Sequence, residues 1–296
     1  MSSWKGKSRG GISGYKIFIA ILKYLGLPFA YFFLRFVVAY FFLFSPKSFR
    51  ASFFYFKKVL KYNFFLSLKK IFQSYFIFGQ ILLDKIAILA EFKTNFTFDF
   101  DGESYIRNVI KEGKGALLIS AHVGNFEMAE HFLKRLNTKI NIVLYDAEHE
   151  KLKKYLSGIL ENNNVEVIAI KDDFSHIFKI KNALSNNELV CIHADRFVDG
   201  SKKIKCNFLG KEAFFPTGPF YLAIKFNVPV SFVFPMKERK NHYHFYASPI
   251  KTYIAPSDSS KRKTVLNEIM KNYITEVENI IHKYPEQWFN YYKFWD

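Results

Sequence analysis

From about residue 100 onward, short apolar runs alternate with longer segments of mixed character. The apolar runs predict strands at 115–120, 140–145, 165–170, 188–193 and 229–235. Between and after them, apolar positions recur at helical spacing over 103–112, 125–136, 148–162, 173–185, 217–227 and 260–283. Strands alternating with helices of this length predict an α/β fold: a mainly parallel central sheet flanked by helices on both faces. Two further stretches, 203–215 and 241–247, read as extra strands at an edge. Asp99-Phe100-Asp101-Gly102 reads as a turn at the entry to this region.

The pattern before residue 93 is different. Ile17 to Phe44 is almost wholly apolar, broken only by Lys23 and Arg35, and is long enough to span a bilayer. Both of its flanks are positive, so the charge rule gives a single span no clear orientation. Gly26, Pro28 and the two internal cations favour a bent segment lying in or re-entering the interface, with Lys and Arg reaching back to head groups. A true span and a buried soluble helix are the alternatives. The run is too long for a cleavable signal peptide, and no small-residue cleavage site follows it. Residues 46 to 92 continue as two helical stretches with Phe53, Phe54, Phe56, Phe64, Phe65, Phe72 and Phe76 at mixed helical spacing. That stripe reads as helix-packing core ahead of a dedicated lipid groove. The division expected is an N-terminal, basic, aromatic membrane-associated helical region over 1–92 and an α/β domain over 93–296.

Composition sharpens the choice of partner. The chain of 296 residues is 50% hydrophobic and 23% charged, which excludes disorder as its main state. Its net charge of +17 is uneven: residues 1–83 hold thirteen Lys or Arg and no acid, whereas the rest holds thirty basic and twenty-six acidic groups. A basic surface interleaved with aromatics suits single-stranded nucleic acid, where bases stack on isolated rings. Here the apolar residues form continuous runs, so an anionic membrane surface is the predicted partner and nucleic acid is not. Cys191 and Cys206 make neither a disulfide framework nor a metal quartet, and a reducing compartment is the simpler assumption.

Candidate chemistry centres on Ser120-Ala121-His122-Val123-Gly124-Asn125-Phe126-Glu127-Met128. His122 falls at the carboxyl end of a predicted strand, where open α/β sheets place their chemistry. Glu127 falls in the first turn of the following helix, where the dipole favours a carboxylate. A histidine there can take a proton from a hydroxyl while the carboxylate fixes its tautomer. With 8 His and 26 acidic residues the spacing alone is within reach of chance. Strand, Gly-Asn turn and helix add the specificity, and a His that merely caps the helix is the bland alternative. Gly124 permits the tight turn; Asn125 orients His122, donates to a substrate oxygen or caps the helix.

His193-Ala194-Asp195-Arg196 lies at the end of another strand and therefore on the same rim. Asp195 and Arg196 are candidates for positioning an anionic substrate or the catalytic loop; an ion pair fixing a loop is the equal alternative. Gly210 sits in the turn Phe208-Leu209-Gly210-Lys211, and Thr217-Gly218 opens a helix whose free amides suit a phosphate or an oxyanion. Thr217 also reads as a plain cap. No metal is expected, because His122, Glu127 and His131 lack the helical His-Glu-x-x-His spacing. No cofactor is expected either: dinucleotide and P-loop fingerprints are absent, as is Gly-x-Ser-x-Gly, and neither cysteine has nucleophile context.

These segments together resemble the lysophospholipid acyltransferase superfamily, and most closely the late acyltransferases of bacterial lipid A synthesis (the lauroyl/myristoyl transferase group). The resemblance covers nearly the whole chain. It rests on the basic apolar N-terminus, on His122-Val-Gly-Asn125-Phe-Glu127, and on Ala194-Asp195 through Phe208-Leu-Gly210 to Pro216-Thr-Gly218-Pro219. The ending Tyr284-Pro285-Glu286-Gln287-Trp288-Phe289 completes it. It implies transfer of a fatty acyl chain from an acyl-carrier-protein or acyl-CoA thioester to a hydroxyl or amine of a lipid, at the cytoplasmic side of the inner membrane. It implies His122 as general base and Glu127 as its partner. One departure is Leu144-Tyr145-Asp146-Ala147-Glu148-His149, where lipid A enzymes often carry an Arg, and this leaves the acceptor open. The rival class is a non-enzymatic membrane- or nucleic-acid-binding protein on a degenerate version of the same fold.

Overall fold

A computed structural model describes residues 12–90, 92, 94–126, 136–145, 165–170, 173–197, 200–254, 256 and 258–295. The helix predicted at 148–162 lies outside the described residues, as does that at 125–136 apart from its ends.

The chain opens with α1 (Ile12–Phe44), which is two helical pieces joined at Gly26, whose φ of 78° and ψ of 176° are non-helical. Pro28 follows two residues later, where its missing N–H is tolerated at the start of the second piece. The bend expected from these two residues is therefore present. α2 (Pro46–Phe54) runs into a single π-helical turn, Tyr55–Val59. α3 (Phe64–Leu89) is capped by Asn63, whose side-chain oxygen accepts from the Leu66 amide at 2.8 Å. α1 and α3 touch closely: a Cβ on Gly79 would sit 2.5 Å from Leu34 Cδ1. Leu22, Ala30, Tyr31, Leu34 and Val38 bury one face of α1, while Phe29, Phe32, Phe33, Phe36, Tyr40 and Leu43 stay exposed on another. Both α1 and α3 are long and apolar enough to cross a membrane.

The strands are β1 (Thr97–Asp101), β2 (Ala116–Ser120), β3 (Ile140–Tyr145), β4 (Val165–Ile170), β5 (Leu189–His193), β6 (Lys203–Phe208), β7 (Lys211–Pro216), β8 (Pro229–Arg239), β9 (His242–Ala247) and β10 (Lys251–Thr252). The main sheet has the order β1-β9-β8-β2-β5-β3-β4, with β10 beside β8. Its middle, β8-β2-β5-β3-β4, is parallel; β9 and β10 run against β8, and β1 runs parallel to β9. Among the described residues the remaining α-helices are α4 (Glu103–Lys111), α5 (Ser175–Ser185), α6 (Gly218–Phe226) and α7 (Ser259–Lys283). Alternate residues of β2 serve the two faces. Leu117 and Ile119 pack in one cluster with Ile180 of α5, Phe220 of α6, Tyr273 of α7 and side chains of α1 and α3. Leu118 packs in the other with Ile106 and Val109 of α4. Burying each such aliphatic side chain is worth roughly 1.5–3 kcal/mol.

Three expectations need correction. Residues 203–215 do not join the edge of the sheet; β6 and β7 form a separate two-stranded ribbon. Residues 241–247 are not an edge either, because β1 pairs with β9 and covers it. The segment read as a turn at Asp99–Asp101 is the end of that strand. Thr-Phe-Asp-Phe-Asp alternates at period two, the signature of a half-buried strand, and the turn comes at Gly102.

Candidate active site

The register of the parallel sheet assembles the site. β2 and β5 align Ser120 with His193, so the residues two positions beyond each strand, His122 and Asp195, also face each other. The Ala194 amide donates to the Ser120 carbonyl at 2.9 Å, and the buried Tyr273 hydroxyl donates to that carbonyl at 3.0 Å. Both strand ends are thereby fixed before the reactive side chains begin.

His122 Nδ1 lies 2.7 Å from Asp195 Oδ1, and the His122 amide donates to Asp195 Oδ2 at 3.0 Å. Asp195 is buried and His122 is partly open. Burial pushes the Asp195 carboxyl up, but the charge and hydrogen bond of His122, with Arg196 and His193 nearby, outweigh it and hold the group below the usual carboxylate range. An ionised carboxylate only accepts, so Nδ1 is the donor to it, and in the neutral ring the lone pair then falls on Nε2. That is the state of a general base. The ring of His193 stands 4.3 Å from that of His122 and 4.2 Å from that of Phe126, which walls one side.

The C-terminal segment straps the His122 loop in place. Val123 bridges to Trp288, the Gly124 amide donates to Gln287 O at 2.9 Å, and the Phe289 amide donates to His122 O at 3.0 Å. Arg196 donates to Phe289 O at 2.7 Å, so it holds the same strap from the other side. The contact is to a backbone carbonyl of the strap and not to a carboxylate. Gly124 has φ of +63°, and a Cβ there would fall 2.1 Å from Pro235 O. Gly124→Ala is therefore expected to displace His122 and lower any activity that depends on it about 100-fold, the penalty of a misplacement near 1 Å. Steady-state assay alongside a thermal melt checks this, since unchanged activity would mean that the loop tolerates the shift.

Asn125 is fully buried; its amide N–H donates to Pro235 O at 2.7 Å and its Nδ2 to the Tyr243 hydroxyl at 3.1 Å. Tyr243 and Tyr31 in turn donate to Asp84, whose carboxylate meets Lys237 Nζ at 2.6 Å. A buried polar chain thus links α1 and α3 to the loop carrying His122. Burial pushes the Asp84 carboxyl up and the Lys237 ammonium down, and the charge of each partner opposes both shifts.

Gly210 and Leu209 take φ of 76° and 51°, a hairpin turn between β6 and β7, with the Leu209 amide donating to Glu278. Thr217 donates to Lys202 O at 3.2 Å and makes no side-chain cap; Gly218 begins α6. Among the described residues no hydrogen bond or ion pair joins Gly210, Thr217 or Gly218 to His122. The ribbon instead reaches the loop through packing, Phe208 against Trp288 at 5.5 Å. Glu127 lies outside the described residues. Among the described residues no cluster of His, Cys, Asp or Glu is arranged to hold a metal ion. The sequence placed Asp195 on this rim as a candidate for positioning an anionic substrate or the catalytic loop, and did not pair it with His122. The missed signal was that His122 and Asp195 each stand two residues past the end of a strand.

Among solved structures, the chain is similar to the 1-acyl-sn-glycerophosphate (LPA) acyltransferase PlsC from Thermotoga maritima, at 14% identity and a TM-score of 0.36, over 86% of this chain and 99% of that one. No curated protein matches significantly. The sequence profile of the bacterial lipid A biosynthesis acyltransferases matches residues 68–295, most of the chain, and the protein belongs to that family.

Proposed function

We propose that this protein transfers a fatty acyl chain from an acyl thioester, carried on acyl-carrier protein or CoA, to a hydroxyl or amine of a lipid acceptor in the synthesis of lipid A or a related outer-membrane lipid. The observation that carries the reading is the 2.7 Å contact of His122 Nδ1 with the buried Asp195 carboxylate. With Nδ1 so held, Nε2 takes the proton of the acceptor hydroxyl as its oxygen forms a bond to the thioester carbonyl carbon. Collapse of the tetrahedral adduct breaks the C–S bond, and the imidazolium returns the proton to the departing thiolate. Glu127 is proposed as a second carboxylate that favours the imidazolium by charge, Asp195 having taken the Nδ1 hydrogen bond. Gly210, Thr217 and Gly218 are proposed for binding the anionic parts of donor or acceptor.

The purified protein, given a radiolabelled acyl thioester on each carrier and lipid A precursors or lysophospholipids, is expected to yield acylated lipid. Release of free fatty acid alone would sink the transferase reading; so would tight single-strand binding exceeding liposome affinity in a protein without transfer activity.

The protein is placed at the inner membrane with its site facing the cytoplasm, α1 lying in the interface on its exposed aromatic face. Removing α1 outright would strip five side chains from the core, so surface substitution is the cleaner test. Replacing Phe29, Phe32, Phe33 and Phe36 by Ser removes roughly 1.5–3 kcal/mol of apolar transfer per fully inserted ring and should release the protein from liposomes. Unchanged co-sedimentation would refute this anchor.

A further inference from the structure

A cleft of about 510 Å³ opens between α1, α3 and the turn after β8, lined by Phe32 and Arg35 of α1, Phe76 and Ile77 of α3, and Arg239 and Lys240. A second, of about 640 Å³, shares Phe76, Ile77 and Arg239 and extends the groove to Lys283. Neither is lined by His122 or Asp195, so the groove is separate from the acyl-transfer site.

Its charges sort clearly. Lys237 on the wall is buried against Asp84, and Glu238 is committed to Tyr284, Tyr246 and His244. Arg35, Arg239 and Lys240 are exposed, and no salt bridge joins them to a carboxylate among the described residues. Three cations at the mouth and an aromatic and aliphatic wall behind them make a site for a ligand with an anionic head and apolar tails. Arg presents a fork that matches phosphate oxygens bidentately, while Lys adds a point charge. The groove also borders the exposed aromatic face of α1, where Phe29, Phe33 and Phe36 stand at the surface.

We propose that the groove holds one anionic phospholipid as a resident, non-substrate ligand. Its phosphate sits between Arg35, Arg239 and Lys240 and its acyl chains lie along Phe32, Phe76 and Ile77. This assignment is independent of the acyl-transfer reading. Tyr31 and Lys237 line the groove and also belong to the polar chain ending at Asn125, so the lipid braces the helices that support the His122 loop.

Native mass spectrometry of the full chain tests it, with dioleoyl phosphatidylglycerol and dioleoyl phosphatidylcholine as probes. One phosphatidylglycerol should be retained per chain, roughly tenfold more tightly than phosphatidylcholine. Arg239→Gln with Lys240→Gln should weaken that retention roughly tenfold. The exposed pair Lys179→Gln with Lys181→Gln on α5, of equal charge change, should leave it unaltered. Arg35→Gln supplies a second reading should the first pair misfold. Equal retention of both lipids, or loss in the α5 pair as large as in the groove pair, would reduce the effect to bulk attraction and overturn the proposal. Displacement by soluble glycerol 3-phosphate would mean a site for free phosphate esters, and would also overturn it.

Discussion

His122→Ala is expected to lower kcat for acyl transfer by about 10²- to 10⁴-fold, with folding and liposome binding intact, because that is what a positioned base contributes. Asp195→Asn should fall by about 10²- to 10⁴-fold in kcat with KM little changed. An amide can turn its NH2 to Nδ1, which would place the ring proton on Nε2 and remove the base. The two losses should not add, since both act on one proton transfer. Glu127→Gln separates the carboxylates. If Asp195 alone orients the ring, this variant keeps the wild-type tautomer and loses only the charge effect on the imidazolium. Equal losses in both variants would require both carboxylates to act on the ring directly. The stability of Asp195 follows a definite sign. Its folded pKa is depressed, so its contribution is full above the ordinary carboxylate value and is lost as pH falls through the folded one. An acid-unfolding midpoint that moves to higher pH in His122→Ala would check that linkage.

The second large effect concerns the buried pair behind the loop. Asp84→Ala leaves the Lys237 ammonium buried without its carboxylate, and breaking such a pair costs about 3–5 kcal/mol. For a chain of this size the melting midpoint should drop by roughly 10 °C. The double replacement Asp84→Leu with Lys237→Met should recover much of this, because it removes both charges instead of orphaning one. A double variant no more stable than the single would show that the hydrogen bonds from Tyr31 and Tyr243, not the ion pair, carry the stabilisation. Activity of the double variant has its own interest. Asn125 donates to Tyr243, and Tyr243 donates to Asp84, so the loop of His122 loses a buried anchor even where stability returns.

Much of this arrangement was legible in the residues. Apolar runs marked β2, β5 and the first part of β8 because central strands of a parallel sheet are buried on both faces and need no alternation, while β4, at the edge, is only partly buried. Gly26 and Pro28 marked the bend in α1, since one leaves the helical region readily and the other lacks an N–H. His122 was legible through its place at a strand end. Its pairing with Asp195 was not, because register across a parallel pair depends on an intervening crossover whose length does not fix alignment. The Asp84–Lys237 chain was equally hidden. Its members come from α1, α3, β8 and β9, and only the closure of α1 and α3 on the sheet brings them together. β1 was missed for a simpler reason: the acidic, Gly-terminated sequence around Asp99 drew attention to the turn, while the alternation just before it carried the strand.

The most direct test of His122 as the base of a lipid acyl transfer is mass spectrometry of membrane lipids from a deletion strain complemented in turn with the wild-type and His122→Ala proteins at matched levels. The account predicts a lipid lacking one acyl chain in the deletion strain, restored by the wild type and left unrestored by His122→Ala. Full restoration by His122→Ala, with the missing chain back in place, would contradict it.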